Sequence, residues 1–241
     1  MSSLQDVAVI MRTYKIGEAD KIIVLFTQNH GKIRAVAKGS RKTTSKLGAR
    51  LEPLNLANVM LWQGRNLATI TGVDVIDNFT DIRESLEKIM MATTMMEIID
   101  KLTLDDQEND ALFQLLIKAL MTLDKNFSPA ILGAFCFRVL MVEGLTPQTD
   151  ACCACGTAQE LTAFNAAMGG ALCRNCQSGQ LISKQALDIL GLIFNGRLGK
   201  ALYLCSHAPE LTHEIESLGI NIIEYHLGQK LKSHLNLKTW G

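Results

Sequence analysis

Lys21-Ile22-Ile23-Val24-Leu25-Phe26-Thr27-Gln28-Asn29-His30-Gly31-Lys32-Ile33-Arg34-Ala35-Val36-Ala37-Lys38 carries two strand patterns around one turn. Its first seven residues are a run of β-branched and large apolar side chains, and its last seven alternate basic with apolar. Between them, Gln28-Asn29-His30-Gly31 is a hairpin turn in which glycine can take a positive φ. Upstream, Asp6 to Tyr14 alternates, with Val7, Val9 and Met11 on one side and Ala8, Ile10 and Arg12 on the other. Downstream, Leu54 to Trp62 and Asn66 to Asp77 form two more strands, joined through Gln63-Gly64-Arg65. Five short strands without a helix long enough to cover a sheet face predict a small closed or partly open barrel.

Near Asn78 the pattern changes. From about Asp81, apolar residues recur at three and four (Leu86, Ile89, Met90, Met95, Ile98, Ile99, Leu102), which predicts a helix apolar enough to be central. Met90, Met91, Met95 and Met96 fit its core. Ala111 to Leu123 gives a second helix. A third is expected to start at Ser128-Pro129, with Ser as N-cap and Pro at the first helical position, and to stop at Gly144. Ser183 to Asn195 closes on Gly196, and a last helix runs from Pro209 to Leu235, interrupted near Gly219.

The chain has 241 residues, 48% of them hydrophobic and 20% charged, which excludes a disordered polyelectrolyte. The longest apolar run, Ala130 to Val142, is short of a membrane span and contains Arg138. Met-Ser-Ser-Leu-Gln-Asp at the N-terminus lacks the basic and apolar regions of a signal peptide, so a cytoplasmic protein is expected. The zero net charge conceals an asymmetry: residues 1–80 balance to +5, 81–150 to −6 and 151–241 to +1. Such separation points to segments with different partners.

Five of the seven cysteines lie within residues 152–176. Cys152-Cys153-Ala154-Cys155-Gly156 and Cys173-Arg174-Asn175-Cys176 make two C-x2-C pairs, 17 residues apart. Each such knuckle brings two thiolates to one ion, and two complete a tetrahedral four-cysteine zinc site. Gly156 suits the tight turn, and Gly169-Gly170 lets the loop return. Cys153 is surplus and reads as a neighbour exposed by the turn, while Cys136 and Cys205 read as core thiols. A four-thiolate shell leaves no open position for water, so the zinc is expected to be structural. The deaminase pattern is also missing, because His213-Glu214-Ile215-Glu216 has the wrong spacing and follows the cysteines. No phosphate loop, Ser/His/Asp set or paired-carboxylate set can be singled out, and no enzymatic activity is expected.

From Lys32 to Arg50 there are seven basic residues and no acidic one: Lys32, Arg34, Lys38, Arg41, Lys42, Lys46 and Arg50. Gly39, Ser40, Thr43, Thr44, Ser45 and Gly48 between them suit a mobile loop able to follow a phosphate backbone. Small barrels commonly bind single strands on neighbouring faces, so this segment is the candidate nucleic-acid site. Tyr14, Phe26, Trp62 and Phe79 are the aromatic residues available there for stacking.

The order of these features resembles the bacterial RecO family of recombination mediators. The resemblance is carried by Gly17-Glu18-x-Asp20 before Leu25-Phe26-Thr27, then Gly31-Lys32-Ile33, Ala37-Lys38-Gly39-x-Arg41-Lys42 and Ser45-x-Leu47-Gly48. The paired knuckles with Gly169-Gly170 are similar to the zinc-bearing branch. Tyr225-His226-Leu227-Gly228 with Leu231-Lys232-Ser233 is similar to the C-terminal helix, with His234 where that pattern has Arg. The resemblance implies an α+β protein: a five-stranded OB-fold barrel at 1–79, then a helical domain at 80–241 with a zinc-ribbon insertion at about 150–180. It implies binding of single- and double-stranded DNA, annealing of complementary strands, and assistance to RecA on DNA coated with single-stranded DNA-binding protein. Implied partners are RecR and single-stranded DNA-binding protein, with RecA indirect, in a cytoplasmic, nucleoid-associated setting without a membrane. Implied DNA contacts are Lys38, Arg41 and Lys42, with Lys46 and Arg50 as neighbours and Arg34 in the same basic segment. The implied metal ligands are Cys152, Cys155, Cys173 and Cys176. The alternative reading is an OB/zinc-ribbon module acting on RNA or the transcription machinery.

Overall fold

The computed structural model describes residues 3–64 and 67–234. The chain forms two compact units, Met1–Asp124 and Lys125–Gly241. In the first, β1 (Ser3–Ile16), β2 (Asp20–Thr27), β3 (Gly31–Ala37), β4 (Leu56–Trp62) and β5 (Ala68–Asp77) close into a barrel in the order β1-β2-β3-β5-β4. The pairs are antiparallel except β3 with β5, which is the strand order of an OB-fold. The five expected strands are all present. Arg65 and Asn66, at the expected β4–β5 connection, lie outside the described residues.

Alternation decides what fills the barrel. Ala8 and Ile10 of β1, Ile23 and Leu25 of β2, Ala35 and Ala37 of β3, Val59 and Leu61 of β4, and Ile70 and Val73 of β5 form its core. A bulge between Ile10 and Arg12 lets β1 pair first with β4 and then with β2, so one long strand closes the barrel. The β2–β3 hairpin is held from beneath by Asp6. Its fully buried carboxylate accepts from Val7 N–H, Asn29 N–H, Asn29 Nδ2 and, at 2.7 Å, His30 Nδ1. Burial alone would raise the Asp6 pKa, but the hydrogen bonds from His30 and Asn29 outweigh it, and the net shift is downward. The stabilisation is therefore present above the ordinary carboxylate range and lost as pH falls through the lowered value. Asp6→Asn is expected to cost about 1–3 kcal/mol at neutral pH. It should also weaken the acid limb of the stability–pH curve, measured by urea unfolding between pH 3 and 7.

Three helices complete this unit: α1 (Thr80–Arg83), α2 (Leu86–Leu102) and α3 (Asp110–Lys125). Ser85 caps α2, its hydroxyl accepting from Lys88 N–H. Met91, Met95 and Met96 are buried on α2, as its apolar spacing requires, and Phe113 of α3 lies against Phe26 of the barrel with ring centroids 5.8 Å apart.

The second unit contains α4 (Ile131–Val142), α5 (Lys184–Phe194), α6 (Leu198–Ser206), α7 (Pro209–Leu227) and a small sheet ordered β7-β6-β8. Its strands are β6 (Leu161–Asn165), β7 (Gly170–Cys173) and β8 (Gln180–Leu181). Two expectations need correction, and one helix was not anticipated. Helix α4 starts three residues later than Ser128: Ser128 and Pro129 form a preceding turn, Ala130 is the N-cap, and the Ser128 hydroxyl is buried without a partner. Helix α6 was not anticipated, because Gly196 and Gly199 break the local pattern around Leu198, Ala201 and Cys205. Helix α7 runs through Gly219 without interruption and ends at Leu227 on left-handed Gly228; Leu235 lies outside the described residues. Gly219 serves packing instead. A Cβ there would sit 2.9 Å from Cys136 Cβ on α4, and one on Gly133 would sit 2.9 Å from Glu216 N on α7. Missing side chains let the two helices approach closely, which offsets the helix propensity that glycine forfeits. Among the described residues, no helix is long and apolar enough to cross a membrane.

Candidate metal centre and nucleic-acid interface

The four expected ligands converge. The Sγ atoms of Cys152, Cys155, Cys173 and Cys176 all lie within 4.8 Å of one another, and Cys155 and Cys173 are 3.7 Å apart. A tetrahedron with metal–sulfur bonds of about 2.3 Å has edges of about 3.8 Å, so one ion fits among them. The backbone makes this arrangement. The first knuckle closes with Gly156 N–H donating to Cys152 O and Cys152 N–H to Thr157 O, both 2.8 Å. Gly156 has φ of +77°, which the turn requires. The second knuckle leaves the end of β7 as a 3-10 turn over Arg174–Cys176, and Arg174 N–H donates to Glu160 O. A Cβ on Gly170 would lie 2.2 Å from Gln148 O, so only glycine permits this return of the chain.

Charge makes such a cluster suited to a cation. Backbone N–H groups of Cys173, Cys155 and Ala154 hold the Cys152 thiol down at about 6. Cys176, facing the thiols of Cys173 and Cys155, is pushed up to about 12. One thiolate is thus favoured and opposes the next; a divalent cation removes this conflict. Cys173 and Cys152 are buried, Cys176 is half-buried and Cys155 exposed. Cys153 is not the exposed neighbour expected from the turn. It is half-buried, with its Sγ against Gly170 and its N–H donating to Ala171 O, and burial raises its pKa. Cys136 and Cys205 are buried core thiols.

The basic segment divides in two. Lys32 is only 6% exposed. Its Nζ donates to Asp100 O at 2.7 Å and Thr103 O at 2.8 Å, near the carboxylates of Asp100 and Asp105. Arg34 Nε lies 2.7 Å from Asp105 Oδ2, and this pairing raises its pKa. The acidic 81–150 segment therefore neutralises the start of the basic one. Lys38, Arg41, Lys42, Lys46 and Arg50 are exposed. Among the described residues, Lys38, Arg41, Lys42 and Lys46 have no acidic side chain at ion-pair distance, whereas Arg50 lies 3.4 Å from Asp74 and donates to Val73 O. Arg41 Nη1 donates to Gly17 O. Successive turns tie the loop to the barrel: Arg41 N–H donates to Ala19 O, Lys42 N–H to Gly39 O, Ser45 N–H to Lys42 O, and Gly39 N–H to Asp20 Oδ1. Of the four aromatic candidates, Phe26 and Phe79 are core, while Tyr14 and Trp62 are exposed.

The family described as Recombination protein O N terminal matches residues 1–79, and Recombination protein O C terminal matches residues 83–235. The chain belongs to the RecO family. It is similar to DNA repair protein RecO of a Nocardioides species, 37% identical over 238 residues, which cover 95% of this chain and 96% of that protein. DNA repair protein RecO of Cutibacterium acnes is likewise 37% identical, over 185 residues, 73% of this chain and 75% of its own length.

Within this RecO-family chain, His234, which stands where the expected pattern has Arg, is buried with Nε2 3.3 Å from Glu216 Oε1. It packs rather than facing solvent. Lys32 is a residue that sequence reasoning grouped with the wrong partners, since its counter-charges lie 68 and more positions away. Lys32→Ala is expected to cost about 3 kcal/mol, because it strands a partly buried carboxylate and two carbonyls. The same variant should keep the salt dependence of nucleic-acid binding. Thermal unfolding and a binding titration on one preparation measure both.

Proposed function

We propose that this chain is a non-catalytic mediator of DNA repair and recombination. In this reading it binds single- and double-stranded DNA, anneals complementary strands, and assists RecA on DNA coated with single-stranded DNA-binding protein. The observation that carries it is the set of uncompensated cations Lys38, Arg41, Lys42 and Lys46 on a RecO-family barrel. Cations of this kind bind phosphates, release counterions and lower the repulsion between two strands. Base pairing then supplies the driving force, so annealing asks for no catalytic group. Arg50 lies beside this set, partly shared with Asp74, and Arg34 at its far edge is largely spent on Asp105.

The four cysteines would hold a structural Zn2+, which ties two chain segments together and supplies no reaction chemistry. The functional halves follow residues 1–79 for DNA and 80–241 for the zinc-bearing helical part, with RecR and single-stranded DNA-binding protein as partners in the cytoplasm, at the nucleoid. An RNA or transcription role has no observation of its own in its favour. The test is annealing of complementary strands coated with the cognate single-stranded DNA-binding protein. Acceleration that disappears in Arg41→Glu/Lys42→Glu supports the mediator reading. Tight binding to naked strands without acceleration would reduce it to a general nucleic-acid-binding module.

A further inference from the structure

The strand register of the barrel places two exposed aromatic residues on one outer row. Tyr14 pairs with Ile22, Ile22 with Val36, Val36 with Thr69, and Thr69 with Trp62. Core residues alternate with these on β2 to β5, and on β1 the bulge between Ile10 and Arg12 reverses the two sides, so that Tyr14, opposite Ile22, points outward with the other four. The row leaves β1 at Tyr14 and comes back to it at Ser3, opposite Trp62. It therefore climbs along the tilted strands instead of encircling the barrel, and it forms one face. Four interstrand steps of about 4.8 Å give this face a length of about 19 Å.

Its borders differ in charge. On one side, Arg12 and Arg34 are ion-paired with Asp100 and Asp105. On the other side lie Ile16, Asp20, Lys38, Thr71 and Met60, and then the basic loop; Asp20 is half-buried and accepts from Gly39 N–H, and the other four are exposed. Tyr14 is 45% and Trp62 44% exposed, and Ile22, Val36 and Thr69 between them are half-buried. A flat apolar strip with aromatic ends, next to uncompensated cations, matches a ligand with both π-faces and phosphates. Duplex DNA hides its base faces; a single strand offers them.

We propose that this face is a stacking platform for the unpaired bases of a single strand, with Trp62 and Tyr14 as base contacts and Lys38 directed to the backbone phosphates. The proposal rests on the basic loop binding DNA and adds what distinguishes one strand from two. The loop attracts both forms through phosphates, whereas the platform engages only exposed bases.

The full chain carrying Trp240→Phe leaves Trp62 as its one indole, and is titrated with oligothymidylate and with a duplex of equal length. The single strand is expected to quench Trp62 fluorescence. Trp62→Ala should lower single-strand affinity roughly tenfold and leave duplex affinity and the salt slope unchanged. Trp62→Phe should restore most of the loss, and Tyr14→Ala should lose affinity in the same selective way. Absent quenching with unaltered affinities would overturn the platform, and so would equal loss of single-strand and duplex binding. A changed sedimentation coefficient in Trp62→Ala would overturn it in favour of a second copy on this face. If Trp62→Ala melts at the temperature of the loop-intact parent, its affinities are decisive; if it does not fold, the quenching and Trp62→Phe decide. Failure of the underlying reading looks different: Arg41→Glu/Lys42→Glu would then leave the salt slope unchanged, whereas failure of the platform alone leaves that slope responsive.

Discussion

Cys173→Ser is expected to lose stoichiometric zinc and to melt roughly 6–20 °C below the parent. Cys173 ends β7 and is buried, so its sulfur is held in place by the small sheet. Structural zinc contributes on the order of 10 kcal/mol in isolated fingers, which have no core of their own. Here α4, α5 and α7 supply a core, so the expected loss is smaller, roughly 3–5 kcal/mol, which corresponds to the stated shift for a chain of this size. Cys153→Ser is the control. Cys153 lies outside the four-sulfur set, and its replacement should leave the metal content intact. Metal content by elemental analysis and calorimetric melting measure both. Full zinc content in Cys173→Ser would remove this cysteine from the ligand set.

Arg41→Glu/Lys42→Glu is the second large effect. Each phosphate contact contributes about 0.7 to the log–log salt slope on a single strand and about 0.9 on a duplex. Losing two contacts should flatten the slope by about 1.4 and 1.8, and lower affinity at moderate salt by on the order of tenfold or more. The weakening should be uniform across sequences, because phosphate contacts carry no base information. Arg41 also donates to Gly17 O, so a melting curve on the same protein separates loss of that tie from loss of charge. An unchanged slope would take the loop out of the mechanism.

Much of the barrel was legible because its signal is local. The alternation in β3, the apolar run of β2 and the turn at Gly31 each need only neighbouring residues and appear where expected, whereas the alternation of β1 holds only to Ile10, because the bulge after it puts Arg12 on the opposite side from Ala8 and Ile10. The helix from Ser183 to Asn195 was legible for the same reason, and it forms as α5 with Ser183 as its N-cap. Local signals failed where a distant element decided. Gly219 reads as a helix breaker until α4 is seen pressing against it. Ser128-Pro129 has the composition of a helix start, yet the chain spends it on a turn.

The candidate sites divide in the same way. Spacing alone brings each cysteine pair to one point, since a C-x2-C knuckle is closed by its own backbone hydrogen bonds. Exposure did not follow from that spacing: Cys153 faces Gly170, while Cys155 is the exposed thiol. In the basic segment, sequence sees seven equivalent cations. The fold brings Asp100 and Asp105 against Lys32 and Arg34, and so leaves the positive field to Lys38 and the loop after it. Likewise, no pattern along the chain relates Tyr14 to Trp62, because strand register around a closed barrel places them on one face. By itself, the sequence determined the strands, most of the helices and the four cysteines that cluster, whose causes lie within a few residues of chain. Tertiary structure alone decided which charges cancel, which thiol is exposed and which aromatics share a surface, since each depends on groups brought together from far apart.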